Sequence, residues 1–126
     1  MVGRVVTVRT VMSDTDRNII RDANDRFRRE DPSIPGQWII TQGLAATIEE
    51  ANLGPLDIIQ VVQAFDTFTE DNDPYGTHEF GAFDFQSETC FWKIDLYDSD
   101  LQFGSPDPTD LFQTRRVMTI MLASEY

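Results

Sequence analysis

The sequence predicts an α+β domain, in which an antiparallel sheet of about four strands carries an N-terminal and a C-terminal helix on one face. A chain of 126 residues is the usual size of a single domain. Helical periodicity occurs near both ends, whereas period-two alternation occupies the middle, and strands and helices do not alternate regularly. We therefore expect residues 1–126 to form one acidic domain.

The N-terminal elements are a β-branched segment followed by a helix. The run GRVVTVRTV predicts a strand or a mobile arm within residues 1–12. Ser13 or Asp14 can cap the next element, and apolar residues recur at helical spacing up to Phe27. A helix is therefore expected over about Asp14–Arg29.

The central elements are less sharply marked. Aromatic and β-branched residues predict a short strand over Gly36–Leu44, and the segment after it reads as a turn that closes at Gly54 and Pro55. Residues 56–68 fit a helix and, nearly as well, a strand, and we favour the strand.

A hairpin and a C-terminal helix complete the predicted fold. Phe83 and Phe85 alternate with their neighbours before a polar QSET turn, and alternation resumes from Phe91 to Tyr97. Asp107 can cap a following helix with Pro108 in its first position. That helix would bury Leu111, Val117, Met118, Met121 and Leu122.

The charge of the chain is strongly negative and unevenly distributed. The formal net charge is −12, from 22 acidic and 10 basic side chains. Between Glu30 and Thr114, Lys93 is the only lysine or arginine. The same region contains Glu30, Asp31, Glu49, Glu50, Asp57, Asp66, Glu70, Asp71, Asp73, Glu79, Asp84, Glu88, Asp95, Asp98, Asp100, Asp107 and Asp110.

Such a field repels nucleic acids and membranes and attracts basic proteins. We therefore expect a basic, nucleic-acid-binding protein as partner, and neither nucleic acid nor membrane. No segment has the length of about 18 apolar residues that a membrane span needs, and no signal core is present, so a cytoplasmic location is expected. The single Cys90 reads as a small core residue, and no cofactor motif occurs.

The segment TEDNDPYGTHEF, residues 69–80, has three readings: a turn, a partner-binding loop or a metal site. Asn, Asp, Pro and Gly are the usual turn formers. A helix-loop-helix calcium site would use Asp71 and Asp73 with Gly76, but Tyr75 and Ala82 occupy positions that require ligands. Asp71, Asp73, His78 and Glu79 remain the candidate ligands for a divalent metal. A chain with one His and one Cys cannot supply an ordinary zinc site.

A second acidic segment, KIDLYDSDLQFGSPDPTD, interleaves carboxylates with Tyr97 and Phe103. One interpretation is a solvated strand end followed by a helix cap. The other is a row of charges that imitates a nucleic-acid backbone, which carries about one charge per 1.7 Å of duplex.

Three strings resemble a family of small bacterial proteins of unknown function, found in proteobacteria and on their plasmids: FDTFTEDNDPYGTHEFGAFDF, FWKIDLYDSDLQFGSPDP and TRRVMTIMLASEY. The shared motifs are FDxFTxDNDPYGxHxFG and FWKID. The resemblance extends over about Arg21 to Tyr126 and implies no reaction. In that family the position of Thr77 is often acidic. A mobile-element setting suggests an inhibitor of host defence.

Three functions are therefore open. The first is a non-enzymatic, DNA-mimicking inhibitor, of anti-restriction or anti-CRISPR type, that occupies a basic nucleic-acid-binding surface. Its partner-binding residues would be Asp71, Asp73, Tyr75, Glu79, Asp95, Tyr97, Asp98, Asp100 and Phe103. The second is a divalent-metal protein or metal-dependent enzyme built on the DNDPYGTHE loop. The third is an apolar interface, such as a homodimer, with the acids serving solubility.

Overall fold

The computed structural model describes residues 12–126. The elements, in chain order, are α1 (Asp14–Arg28), β1 (Gly36–Ile40), α2 (Gln42–Glu50), α3 (Pro55–Ala64), β2 (Phe80–Phe85), β3 (Glu88–Tyr97) and β4 (Arg115–Leu122), with a 3-10 turn at Ala123–Glu125. The strand or arm predicted within residues 1–12 lies, except for Met12, outside the described residues. Among the described helices, none has the length and hydrophobicity to cross a membrane.

The four strands form one sheet in the order β1-β4-β3-β2. The β2–β3 and β3–β4 pairs are antiparallel, whereas β1 and β4 are parallel, with Gly36 opposite Arg116. The α+β class is confirmed, but the expectation of a purely antiparallel sheet is wrong. β1 and β4 are the first and last strands in the chain, and the two helices and the hairpin between them provide the long connection that a parallel pair requires.

The main core lies between the helices and the sheet. Alternate residues of β3 and β4 project to the same side of the sheet, because side chains alternate along each strand. The fully buried members of this layer include Trp92 on β3 and Met118 on β4. The helical part of the cluster is Ala23, Phe27, Leu44, Ile48, Ile58 and Val62, so all three helices contribute to one core.

The predicted C-terminal helix is wrong, because the segment forms the strand β4. This strand lies between β1 and β3, and Val117, Met118, Ile120 and Met121 are all buried. Burial on both faces removes the period-two alternation and leaves an apolar run that also fits a helix. Asp107 caps a turn and not a helix, since its carboxylate accepts hydrogen bonds from the backbone and hydroxyl of Thr109.

Three central predictions also need correction. The strand expected over Gly36–Leu44 ends at Ile40, and the turn expected after it is the helix α2. The strand favoured for residues 56–68 is wrong, because residues 56–64 belong to α3 and residues 65–68 form neither helix nor strand. Pro55 occupies the first position of α3, where its missing N–H and fixed φ are tolerated, and Asp57 accepts a hydrogen bond from the Gly54 backbone.

The N-terminal helix and the hairpin are confirmed. The hydroxyl of Ser13 accepts a hydrogen bond from the backbone of Asp16 at 3.0 Å and so caps α1. Gln86 and Ser87 join β2 to β3 with φ angles of 52° and 65°. A two-residue turn with positive φ at both positions has a backbone twist that fits the right-handed twist of the two strands. Cys90 is completely buried, and burial raises the pKa of its thiol to about 11.

Candidate functional site

The segment from residue 69 to residue 79 is a series of side-chain-stabilised turns. The Asp73 carboxylate accepts hydrogen bonds from the backbone amides of Thr77 and His78, at 3.2 and 3.1 Å. Asn72 and Thr69 bond to each other's backbone amides. The side chain of Asp73 is only 8% exposed, so its carboxylate holds the loop together rather than facing a partner.

His78 anchors this loop to α1. Its backbone has φ of 57°, which non-glycine residues adopt at a conformational cost. The ring stacks on Phe68 with centroids 3.7 Å apart, and Nδ1 lies 2.8 Å from the Asp25 carboxylate. Beside this pair, the buried Arg28 donates to the carbonyls of Val62 and Phe65 at 3.0 and 2.8 Å. The C-terminus of α3 is therefore fixed by an α1 side chain.

A buried polar chain connects the loop to β4. Arg116 Nε donates to the Asn24 side-chain oxygen at 2.6 Å, and the Asn24 amide donates to the Thr77 carbonyl at 2.9 Å. The Thr77 hydroxyl donates to the Glu79 carboxylate. Asn24, Thr77 and Arg116 are all buried, so the loop that leads to Glu79 is held by α1 and β4 together.

Arg116 is the most unusual residue in this series of hydrogen bonds. It is 0% exposed, yet its Nη1 and Nη2 atoms have no hydrogen-bond partner among the described residues. Burial lowers the pKa of its guanidinium to about 10. The negative charge of Glu79 raises this pKa, but by less than burial lowers it. The group remains protonated at neutral pH, so two charged donors in the interior have no hydrogen-bond acceptor within residues 12–126.

Glu79 also lines an open cleft of about 560 Å³, which we name the α1–β3 cleft. Its lining includes four carboxylates, one each from α1, the turn loop, β3 and the β3–β4 connection: Asp16, Glu79, Asp95 and Asp107. Its apolar wall includes Ile20, Ile94 and Leu96. Of the predicted partner-binding residues, the cleft thus brings Glu79 and Asp95 together, while Asp71 and Asp73 do not line it.

The connection between β3 and β4, residues 98–114, is the second candidate feature, and we name it the β3–β4 loop. Asp98 organises its first turn, because its carboxylate accepts from the backbones of Asp100 and Gln102 at 3.2 and 3.0 Å. Gly104 bridges back to Tyr97. Phe103 closes this turn, because its carbonyl accepts a hydrogen bond from the Asp98 backbone at 2.8 Å, and the residue is 71% exposed.

Phe112 is the most exposed large apolar side chain among the described residues, at 95%. It follows Asp110, whose carboxylate accepts from the Phe112 backbone and from the Gln113 side chain. These bonds lower the pKa of Asp110. Sequence reasoning missed Phe112 because it assigned the residue to a helix; the available signal was one aromatic residue inside a polar, turn-forming stretch.

The nine predicted partner-binding residues therefore differ in their surroundings. Asp71, Tyr75, Asp100 and Phe103 are exposed. Asp73 and Asp98 bond to backbone amides of their own turns. Glu79 accepts from the Thr77 hydroxyl and Asp95 accepts from Lys93 at 2.8 Å, while Tyr97 is half-buried at the end of β3.

The four candidate metal ligands are only partly brought together. Asp73 and His78 lie 3.7 Å apart at their nearest side-chain atoms, while Glu79 bonds to Thr77. Within residues 12–126, no three His, Cys, Asp or Glu side chains are grouped so that they could hold a metal ion.

Comparison with known proteins identifies the family of the chain. No curated protein and no solved structure matches it significantly. One family model does match, over residues 40–125, which runs from the last residue of β1 to the final 3-10 turn. That range lies within the segment for which the sequence resembles a family of unknown function. The chain belongs to DUF3768, a family described as proteins of unknown function.

Proposed function

We propose that the chain is a non-enzymatic, acidic binding protein that occupies a basic, nucleic-acid-binding surface of another protein. The observation that carries this proposal is the exposure of Phe103 and Phe112 within the acidic β3–β4 loop. Hydrogen bonds within each turn hold the backbone that carries these aromatic residues. Such a side chain loses little conformational entropy when it enters a pocket of a partner, which is typical of interface anchors.

The acids supply the second component, attraction to a basic surface. Asp71 and Asp100 are exposed, and neither carboxylate forms a hydrogen bond or ion pair with another described residue. With a net charge of −12, the chain attracts cationic proteins at long range and competes with DNA for them. A restriction or CRISPR component fits this description of the partner.

A capture experiment tests the proposal. The chain is immobilised and exposed to host lysate at low and high salt, with and without duplex DNA, and bound proteins are identified by mass spectrometry. We expect nucleic-acid-binding proteins that both salt and DNA release. Capture of no basic protein, or capture that DNA leaves unchanged, would contradict the mimic function.

Charge reversal then separates a defined surface from general acidity. Asp71→Lys with Asp100→Lys changes the charge by the same amount as Glu49→Lys with Glu50→Lys, and the second pair lies exposed on α2. The first variant should weaken partner binding at least tenfold and the second by much less. Equal weakening would show that only the net charge matters.

A further inference from the structure

We propose that the chain forms a homodimer, in which the β1 strands of two copies pair in antiparallel direction and join the two sheets into one. The strand order β1-β4-β3-β2 leaves β1 at an edge of the described sheet. None of the β1 residues belongs to the β3–β4 loop, so this inference does not depend on the proposed partner binding.

The backbone of β1 has one side that no described strand occupies. The Pro35 carbonyl accepts from the Arg116 amide at 3.1 Å, and the Thr41 amide donates to the Ile120 carbonyl at 3.0 Å. The odd-numbered residues of this segment therefore bond to β4. The even-numbered residues direct their N–H and C=O groups to the other side, where no described strand pairs with them. These residues are Gly36, Trp38 and Ile40.

The β1 edge is uncharged, which is unusual for this chain. Edge strands are commonly protected from further pairing by charged residues, prolines or bulges. The strand GQWII contains neither a charge nor a proline, and Ile39 is 43% exposed. Residues 117–121 of β4, beside β1, are uncharged as well. In a chain with a net charge of −12, a second copy therefore meets no opposing carboxylate on this strand.

Charge also decides which edge and which occupant fit. Asp84 on the opposite edge strand, β2, is exposed, and so is Glu88 at the start of β3. Two copies that paired through β2 would bring these carboxylates into one interface, and like charges across paired strands are destabilising. Pairing through β1 avoids this cost. A basic partner, in turn, gains no electrostatic attraction from an uncharged strand.

The two ends of β1 carry opposite charges. A pocket beside the N-terminal end is lined by the exposed Arg115, and a pocket beside the C-terminal end by the exposed Glu49. Antiparallel pairing brings the N-terminal end of one strand to the C-terminal end of the other, so these opposite charges approach each other. Of the two acids at the N-terminal end, Asp31 pairs with Arg26 at 2.9 Å, and Glu30 accepts a hydrogen bond from an α3 side chain.

One antiparallel register pairs all three outward-facing residues. It places Trp38 opposite Trp38 of the second copy and Gly36 opposite Ile40. Each of these pairs exchanges two N–H···O bonds. Gln37 then lies opposite Ile39 in a non-hydrogen-bonded pair, with Cα atoms about 4.5 Å apart. The half-buried Trp38 lies on the two-fold axis, and tryptophan at the centre of an interface is typical of binding hot spots.

Sedimentation equilibrium of the full chain tests the assembly, from micromolar to submillimolar concentration and at low and high salt. We expect a reversible monomer–dimer equilibrium that high salt strengthens, because salt screens the repulsion between two copies of charge −12. The proposed partner binding has the opposite salt dependence, so either proposal can fail without the other. A chain that stays monomeric over the whole range at high salt would overturn the homodimer.

A matched pair of lysine substitutions tests the surface. Ile39→Lys and Ile19→Lys change the net charge equally, and the two isoleucines are 43% and 42% exposed, but Ile19 lies on α1. Ile39→Lys should raise the dimer dissociation constant at least tenfold, and Ile19→Lys less than twofold, with both folds unchanged by circular dichroism. Equal effects would overturn the assignment of β1 as the interface.

Disulfide formation tests the register. Gln37→Cys and Ile39→Cys are mixed in equal amounts and oxidised, and the linked pairs are identified by mass spectrometry. The two different variants should cross-link to each other, because a Cα separation of about 4.5 Å lies within the range of about 4.4–6.8 Å for disulfides. Copies of one variant lie about 7 Å further along the strand and should link much less. Cys90 is completely buried and does not compete. Equal linking within and between variants would overturn this register.

Discussion

Asn24 connects α1 to both β4 and the turn loop, and its removal is the most informative perturbation of the fold. Its side chain accepts from Arg116 Nε and donates to the Thr77 carbonyl, and it is completely buried. A hydrogen bond to a charged group contributes about 1.5–3 kcal/mol, and one between neutral groups contributes about 0.5–1.5 kcal/mol. Asn24→Ala should therefore lower the free energy of unfolding by about 2–4 kcal/mol.

Urea unfolding followed by circular dichroism measures this loss. Asn18→Ala is the matched control, because Asn18 lies exposed on the same helix and gains the same helix propensity. The control should change the free energy of unfolding by no more than about 0.5 kcal/mol. A similarly small change for Asn24→Ala would refute the claim that this side chain holds the loop to the sheet.

Three further outcomes follow from single residues. The thiol of Cys90 should resist Ellman's reagent at pH 8 until urea unfolds the protein, because it is buried and its pKa is raised to about 11. Asp31→Asn should lower the melting temperature at pH 7, because hydrogen bonds from Ser33 and from an arginine lower the pKa of Asp31 from 3.8 to about 2. The difference in melting temperature between the variant and the parent should shrink as the pH falls from 3.8 to 2 and the Asp31 carboxylate takes up a proton. Gly81→Ala should destabilise the protein by about 1–3 kcal/mol, because its methyl group would lie 2.2 Å from Trp92 Nε1.

Each of these outcomes has a clear contrary result. Rapid modification of the native thiol would show that Cys90 is accessible. A melting difference for Asp31→Asn that is as large at pH 2 as at pH 7 would show that charge on this residue is not its cause. Gly104→Ala is the control for Gly81→Ala, since nothing lies within 4 Å of the position of its methyl group.

The success of sequence reasoning here depended on whether an element was amphipathic. The helix α1 has a capping serine and one apolar face, and it was predicted correctly. The strand β3 buries Trp92 and Ile94 while Lys93 between them is partly exposed, and it was also predicted correctly. The strand β4 is buried on both faces, so its pattern could not distinguish strand from helix. The parallel pairing of β1 with β4 depends on contacts far apart in the sequence, which no local pattern reports.

The candidate site was predictable in composition and not in geometry. The sequence placed acids in the β3–β4 loop and singled out Phe103, which is indeed exposed. It could not show that the Asp73 and Asp98 carboxylates accept hydrogen bonds from backbone amides of neighbouring residues, since this depends on how each turn closes. Nor could it show that Arg116 is buried and bonds to Asn24 of α1, because β4 had been assigned to a helix.

The most direct test of the proposed function is the affinity of the captured partner for the double variant Phe103→Ser with Phe112→Ser. Leu56→Ser is the control, because Leu56 lies on α3 with 64% of its side chain exposed and outside the β3–β4 loop. Titration calorimetry should show at least a tenfold loss of affinity for the double variant, an unchanged fold by circular dichroism and little change for the control. Unaltered affinity of the double variant would contradict the assignment of the β3–β4 loop as the binding surface.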